Sequence, residues 1–212
     1  MSRPLSDTAR LIVVTDHRRW SEEWIEQRVT AICQAAQPGS VVVQLRDREM
    51  PEVDRLRIGQ RLRCLTRDAQ QVFVVSDRVD LAVLLDADGV ALPEGGITPL
   101  DARALLQTKG VRAPWVSCAW HDMTHLPHRA ATACVLSPIA EARKGRPALS
   151  FDQLKTFRQQ LPAAQHLFAL GGITSHNAAA CLAAGAQGVA VMGAAFDSDP
   201  LPLLRALDIV RH

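Results

Sequence analysis

Two adjacent glycines in the C-terminal part of the chain are well placed to bind an anion. Residues 169–177 read ALGGITSHN, so Gly171 and Gly172 lie between an apolar run and a predicted helix start, where Ser175 and Asn177 favour N-caps. A glycine pair needs a steric reason, such as positive φ or a ligand close to bare N–H groups. N–H groups at a helix start attract phosphate. A tight turn without a ligand is the alternative.

Polar side chains also follow the other apolar runs of the sequence. Several are cationic, and cations that meet at one face would suit an anionic substrate. Taken singly, each arginine is typical of a solvated surface, so their joint placement carries the prediction. The candidates are Gln44, Arg46 and Arg48 after the second run, Ser76 and Asp77 after the third, and Lys144 and Arg146 after the sixth.

The segment HDMTHLPH contains the histidines that could move a proton. His121 follows the fifth apolar run directly, and an imidazole titrates near neutral pH, which suits general acid–base catalysis. His121, His125 and His128 could alternatively line up on a metal. Pro127 and the missing H-E-x-x-H glutamate disfavour that interpretation. We interpret Cys118, inside the run, as a small core residue.

Eight short apolar runs alternate with segments of helical periodicity. Runs that are apolar on both faces and alternate with helices are typical of a parallel sheet covered by helices. The sequence therefore predicts an α/β fold, a single (β/α)8 TIM barrel over residues 1–212; a doubly wound open sheet is the alternative, although the first turn lacks its glycine fingerprint. The runs are 11–14, 41–45, 72–75, 88–92, 114–120, 133–136, 166–170 and 188–192.

The barrel prediction brings the two glycine-bearing turns together. Barrels carry their sites on the loops after the strands, and phosphate typically binds after strands 7 and 8. GGIT follows the seventh run, and MGAAF, with Met192 and Gly193, follows the eighth. We therefore predict a phosphate site at Gly171, Gly172, Met192 and Gly193.

The composition excludes several other classes of function. The chain has 212 residues, is 48% hydrophobic and carries a net charge of +2, which gives no general attraction to nucleic acid or anionic membranes. Its five cysteines form no C-x-x-C pair, as expected of reduced thiols in a cytoplasm. The first residues lack a signal-peptide pattern, and no apolar run reaches the ~18 residues of a membrane span. We expect a cytoplasmic protein.

Five segments together resemble the thiamine phosphate synthase superfamily, which also contains the TenI-like thiazole tautomerases. They follow the family's order along nearly the whole chain, and the last is the most specific. The resemblance implies a (β/α)8 barrel that binds a phosphorylated thiazole. The segments are VVTDHR, VVVQLRDRE, VVSDRVDLAVLLDADGVAL, SPIAEARKGRPALSFDQL and LFALGGITSHNAAACLAAGAQGVAVMGAAF.

The synthase branch of this superfamily implies a magnesium site that the sequence keeps only in part. Synthases join a pyrimidine diphosphate to a thiazole phosphate, and two aspartates, in segments ND and HLGQ.D, hold Mg²⁺. Here Asp77 remains beside Ser76, but ALPEGG places Glu94 at the glutamine and Gly96 at the second aspartate. Magnesium would have one carboxylate unless Glu94 substitutes.

The tautomerase branch resembles the chain at LPEGGITP and at AWHD, where His121 matches the catalytic histidine. The main expectation is therefore metal-independent proton transfer by His121 on a phosphorylated thiazole. The phosphate would bind at the glycine turns and Lys144. Further substrate contacts would come from Gln44, Arg46, Arg48, Ser76 and Asp77. In a second alignment Ala119 takes the histidine position.

Two other functions remain open at this point. One is a thiamine phosphate synthase whose Mg²⁺ is held by Asp77 and Glu94. The other is a regulator that binds the phosphorylated thiazole without turnover. A homo-oligomer is also left open, with Trp20 and Trp24 as candidate interface residues.

Overall fold

The computed structural model describes residues 5–47, 49–143 and 145–211. Over these residues the chain alternates strands and helices. The strands are β1 (Leu11–Val14), β2 (Val41–Leu45), β3 (Val72–Ser76), β4 (Gly89–Leu92), β5 (Trp115–Trp120), β6 (Ala133–Leu136), β7 (His166–Leu170) and β8 (Gly188–Val191). The helices are α1 (Leu5–Thr8), α2 (Glu22–Ala35), α3 (Glu52–Asp68), α4 (Val79–Leu84), α5 (Pro99–Thr108), α6 (Phe151–Gln160), α7 (Ala178–Ala183), α8 (Gly193–Phe196) and α9 (Leu201–Ala206).

The strands form a closed barrel in sequence order, β1 to β8, and every neighbouring pair is parallel. The predicted TIM barrel is therefore confirmed. The open sheet is wrong, since β8 pairs with β1 through Leu11 and Val189. Because all strands run in the same direction, their carboxyl ends meet at one mouth of the barrel.

Two apolar layers fix the barrel. An inner cluster fills the barrel itself, with Phe168 fully buried and its ring 5.9 Å from that of Trp115. A larger outer cluster packs the strands against the helices. Successive residues of one strand therefore enter different layers, which is why each run is apolar on both faces.

Helix starts on the mouth side are held by local capping groups. Ser21, Thr98 and Ser150 accept a backbone N–H at the starts of α2, α5 and α6. Between β5 and β6 the described residues 121–132 form no helix. No described helix is long and apolar enough to cross a bilayer.

Candidate active site

A cavity of about 1170 Å³ opens at the carboxyl ends of the strands. Its wall includes most of the side chains that the sequence singled out. Among the predicted residues the lining contains Gln44, Arg46, Glu94, His121, Gly171, Gly172, Met192 and Gly193. Ser76 and Asp77 are absent from the described lining. The predicted residues Arg48 and Lys144 lie outside the described residues.

The glycine pair after β7 has a packing reason that the sequence did not reveal. Both residues have positive φ, 110° at Gly171 and 66° at Gly172. A Cβ on Gly172 would lie 2.6 Å from Glu141 Cβ, because the loop between β6 and α6 packs directly against this turn. The N–H of Ala140 donates to the carbonyl of Gly171 at 2.8 Å. Glycine is therefore required here whether or not a ligand binds.

The same turn also presents backbone donors at the cavity wall. Asn177 precedes α7, accepts the N–H of Thr174 at 2.8 Å and donates to the carbonyl of Gly172 at 2.9 Å. These bonds hold the turn in one shape. Within the described part of the chain, the N–H groups of Gly172 and Ile173 have no protein acceptor. They can donate hydrogen bonds to an anion in the cavity.

The turn after β8 is held from outside by two tryptophans. Trp20 Nε1 donates to Asp197 Oδ1 at 3.0 Å, and Trp24 Nε1 donates to the carbonyl of Phe196 at 3.1 Å. The rings of Trp20 and Phe196 are 4.8 Å apart. These contacts hold the C-terminal end of α8, which begins at Gly193, against the loop after β1 and the first turn of α2. Trp20 is thus half-buried against its own chain, whereas Trp24 is 40% exposed.

At the end of β2, Gln44 and Arg46 reach the cavity, and Ser76 supports one of them. Gln44 Nε2 donates to Ser76 Oγ at 2.8 Å, and Ser76 is buried beneath it. The Arg46 side chain has no hydrogen bond or ion pair within the described residues. Asp77 stands at the end of β3 in left-handed backbone, with φ 63°, and its N–H donates to the carbonyl of Ala91 at 3.0 Å.

Three further arginines line the cavity, one of which the sequence had already suggested. Arg143 and Arg146 exchange backbone hydrogen bonds across a turn at Gly145, and neither side chain has an acidic partner in the described chain. Arg19 lies 3.4 Å from Asp197. Arg146 was a cationic candidate in the sequence. Arg143 and Arg19 were missed, because arginine in an irregular loop gives no periodic signal of its direction.

His121 and Glu94 form a close pair in the cavity wall. His121 Nδ1 lies 2.6 Å from Glu94 Oε2, and both side chains are partly exposed, 25% and 32%. The pair joins the loop after β4 to the loop after β5. A carboxylate that contacts one ring nitrogen orients the imidazole and leaves Nε2 to exchange protons.

The three histidines of HDMTHLPH do not meet. His125 Nδ1 contacts Asp122 at 2.6 Å, and His128 Nδ1 accepts the N–H of Ala130 at 3.1 Å. Hydrogen bonds from Thr124 and His125 hold the pKa of Asp122 well below its usual range. Cys118 is buried, which raises the pKa of its thiol to about 11, as expected of a core residue.

The donor set for a metal differs from a two-aspartate arrangement. Within the described residues, no three His, Cys, Asp or Glu side chains come together as a metal site. Gly96 offers no side chain, and the carboxylate of Glu94 contacts His121. Asp77 alone remains of the expected pair. The residues present therefore do not fit a magnesium ion held by two protein carboxylates.

Comparison with known proteins finds relatives that match most of the chain. The family model described as thiamine monophosphate synthase matches residues 11–195. The chain is 33% identical over 204 residues to a thiamine-phosphate synthase of Roseiflexus sp., covering 93% of this chain and 83% of the relative. A thiamine-phosphate synthase of Thermus thermophilus is 32% identical over 206 residues, with 92% and 93% coverage.

A solved structure agrees with the barrel. Thiamine phosphate pyrophosphorylase from Pyrococcus furiosus has a TM-score of 0.77 to this chain at 22% identity, with 97% of this chain and 98% of that chain covered. At this identity the likeness concerns the fold.

Proposed function

The chain belongs to the thiamine monophosphate synthase family, and from this premise we propose that it is a thiamine-phosphate synthase, which joins a phosphorylated thiazole to a pyrimidine that carries a diphosphate. In this reaction a bond forms between the two heterocycles and the diphosphate leaves. The names of the relatives support the synthase over the tautomerase that the sequence favoured.

The observation that carries the proposal is the presence of two separate anion-attracting regions in one cavity. One comprises the turns after β7 and β8, where the N–H groups of Gly172 and Ile173 have no acceptor among the described residues. The other comprises Gln44 and Arg46 after β2. In the closed barrel β2 lies three strand positions from β7. A coupling reaction brings two phosphorylated substrates together, whereas an isomerisation needs one such region.

The volume of the cavity agrees with two substrates. At about 1170 Å³ it exceeds the roughly 300–1,000 Å³ of typical small-molecule sites. In the proposed arrangement, the phosphate of the thiazole binds at the glycine turns. The diphosphate of the pyrimidine binds at Arg46, and Arg143 and Arg146 above the mouth add positive charge. An arginine without an acidic partner is well suited to hold a departing diphosphate, because it binds phosphate oxygens in pairs.

The proposal assigns no step to a metal ion, since the donor set does not fit the two-aspartate arrangement. Charge on the leaving diphosphate is met here by side chains of the protein itself. Arg46 is the central one. Gln44 is kept in place by Ser76 and offers its amide to the same region.

A second candidate function, thiazole tautomerisation, is favoured by one specific observation. The 2.6 Å contact between His121 and Glu94 is the arrangement of an oriented general base, and it lies in the cavity wall. Isomerisation of a thiazole carboxylate phosphate moves one proton on the ring. It would use the glycine turns for the phosphate and His121 for the proton.

The deciding experiment supplies both substrates and measures thiamine phosphate, with Mg²⁺ and with a chelator. We expect product from the parent and a loss of about 10²-fold or more in Arg46→Ala, since charge stabilisation of a leaving group is a large contribution. Arg67→Ala is the matched control, because Arg67 lies on the outer surface and pairs with Asp86.

Isomerisation is assayed in parallel with thiazole carboxylate phosphate alone. If the parent forms no thiamine phosphate but isomerises the thiazole, and His121→Ala does not, the synthase proposal is wrong and the tautomerase is supported. Tight binding of the phosphorylated thiazole with neither reaction would contradict both and favour a binding protein.

A further inference from the structure

A buried polar network lies directly behind the cavity wall at the end of β2. Thr15 Oγ1 donates to Asp47 Oδ2 at 2.6 Å and accepts the backbone N–H of Arg46 at 3.2 Å. The backbone N–H of His17 donates to Asp47 Oδ1 at 2.6 Å, and His17 Nδ1 lies 2.7 Å from Asp47 Oδ2. One carboxylate thus gathers three groups from the loop after β1.

This network is almost completely shielded from solvent. Thr15 is fully buried, and the side chains of His17 and Asp47 are 7% and 5% exposed. His17 Nε2 is buried without a hydrogen-bond partner in the described chain. A buried carboxylate costs free energy unless hydrogen bonds replace the water that it has lost. A network of this kind holds backbone in one geometry.

The network holds the backbone from which Arg46 extends. Arg46 lies in the wall of the main cavity and also in the wall of a smaller one of about 310 Å³, which Asp16, His17, Asp47 and Met50 help to line. Arg46 therefore lies between the two cavities, and its side chain has no hydrogen bond or ion pair to any residue that the structure describes. Its backbone N–H is held by the hydroxyl of Thr15.

We propose that Thr15, Asp47 and His17 are positioning residues that aim Arg46 into the main cavity, so that it binds the diphosphate of the substrate. This inference rests on the proposed function for the role of Arg46. Of the two anion regions, the hydrogen bonds of the network itself reach only the one at the end of β2. The turns after β7 and β8 are held by other residues, Asn177 and the two tryptophans Trp20 and Trp24.

The test is a comparison of two ligands by calorimetry on the purified full chain. Inorganic pyrophosphate probes the region of Arg46, and the phosphorylated thiazole probes the glycine turns. Thr15→Val has the same shape but loses both hydrogen bonds of the hydroxyl, and Thr15→Ser keeps them. We expect Thr15→Val to bind pyrophosphate about tenfold more weakly, which corresponds to one hydrogen bond of ordinary strength. We expect Thr15→Ser to stay close to the parent, and both variants to bind the phosphorylated thiazole as the parent does.

Asp47→Asn is the second variant, since Thr15→Val could fail to fold. Asparagine keeps the shape but exchanges one acceptor oxygen for a donor, so the same selective loss for pyrophosphate is expected. Thermal melting of each variant verifies that binding is measured on folded protein.

Two results would overturn the inference. The first is an unchanged affinity for pyrophosphate in both Thr15→Val and Asp47→Asn. The second is an equal loss of affinity for pyrophosphate and for the phosphorylated thiazole, as a general loss of structure would produce. The variant Arg46→Ala distinguishes a failure of this inference from a failure of the proposed function. If Arg46→Ala binds pyrophosphate like the parent, the role of Arg46 fails and the inference falls with it. If the selective losses are found but no thiamine phosphate is formed, the inference stands and the synthase proposal fails.

Discussion

Glu94 Oε2 lies 2.6 Å from His121 Nδ1, and this contact ties the loop after β4 to the loop after β5 at the cavity wall. Glu94 occupies a place where the synthase pattern has a glutamine. A glutamate there supplies a charge that orients the imidazole. The chain thus combines the proposed site for two anions with an imidazole whose Nε2 is free of this contact.

The first prediction concerns this pair. Under the second candidate function, His121→Ala is expected to lower isomerisation of the thiazole carboxylate phosphate by about 10²–10⁴-fold, the usual contribution of a general acid–base group, while leaving the binding of this compound nearly unchanged. Glu94→Gln should show a smaller loss, because the imidazole remains but is less firmly oriented. Isomerisation is followed by NMR and binding by calorimetry. Equal turnover in the parent and His121→Ala would remove His121 from the mechanism.

The second prediction separates the two glycine turns. In Gly193→Ala the new Cβ would meet only the end of the Asp197 side chain, at 2.9 Å, and this side chain can move. We expect the fold to survive and the affinity for the phosphorylated thiazole to fall at least about fivefold, since the methyl group enters the phosphate region. In Gly172→Ala the new Cβ would collide with Glu141, and residue 172 has a positive φ that alanine rarely adopts. This substitution should therefore lower the melting temperature instead. A stable Gly193→Ala with parental affinity would contradict a phosphate site there.

The third prediction tests the inner layer of the barrel. Phe168 is fully buried and contacts Trp115, so Phe168→Ala should lower the free energy of unfolding by about 3–5 kcal/mol. Phe151→Ala is the matched control, because Phe151 is exposed at the start of α6, and its effect should stay within about 1 kcal/mol. Urea unfolding measures both. Equal effects of the two substitutions would mean that the barrel interior is not packed around Phe168.

The strands could be predicted closely from the sequence. The apolar runs at 11–14, 41–45, 133–136 and 166–170 coincide with β1, β2, β6 and β7. Strands of a barrel are covered on both sides, so each one is a short uninterrupted apolar segment with clear ends. The position of the mouth followed from the same rule, because parallel strands end on one side.

The contacts between loops could not be predicted in this way. The packing of Gly172 against Glu141 and the contact of Glu94 with His121 join segments about 30 residues apart. Irregular loops have no periodicity, so the sequence gives their residue types but not their directions. Ser76 is the last residue of β3, and its type and position likewise do not reveal that its hydroxyl accepts a hydrogen bond from Gln44.

The fourth prediction concerns the pH dependence of stability. Burial by itself raises the pKa of Asp47, but the hydrogen bonds from His17 and Thr15 outweigh it and hold the pKa below the ordinary value of 3.8. A carboxylate whose pKa is lowered by folding stabilises the fold at any pH above its pKa in the unfolded chain. This contribution is lost as the pH falls through the pKa of the folded protein. The parent should therefore lose more stability than Asp47→Asn when the pH falls from about 5 to about 3, a range that spans the ordinary pKa of a carboxyl group.

The control for this experiment is the comparison at neutral pH. Asp47→Asn should be about 1–3 kcal/mol less stable than the parent at pH 7, because a buried acceptor is lost. The difference between the two proteins should shrink as the pH falls. Urea unfolding at each pH measures it, and a constant difference would mean that Asp47 does not titrate with folding.

The last prediction uses the thiols. Four of the five cysteines are buried, and burial raises the pKa of Cys33 to about 12 and those of Cys118 and Cys181 to about 11, with Cys134 shifted in the same direction. The thiolate is the reactive form of cysteine. In the folded protein at about pH 8, close to the ordinary cysteine pKa, these four thiols should therefore react slowly with a thiol reagent. Cys64 is exposed on α3 and should supply one fast equivalent, which Cys64→Ser removes. Full reactivity should return in denaturant. Any fast equivalent in native Cys64→Ser would show that the outer layer opens more readily than its burial implies.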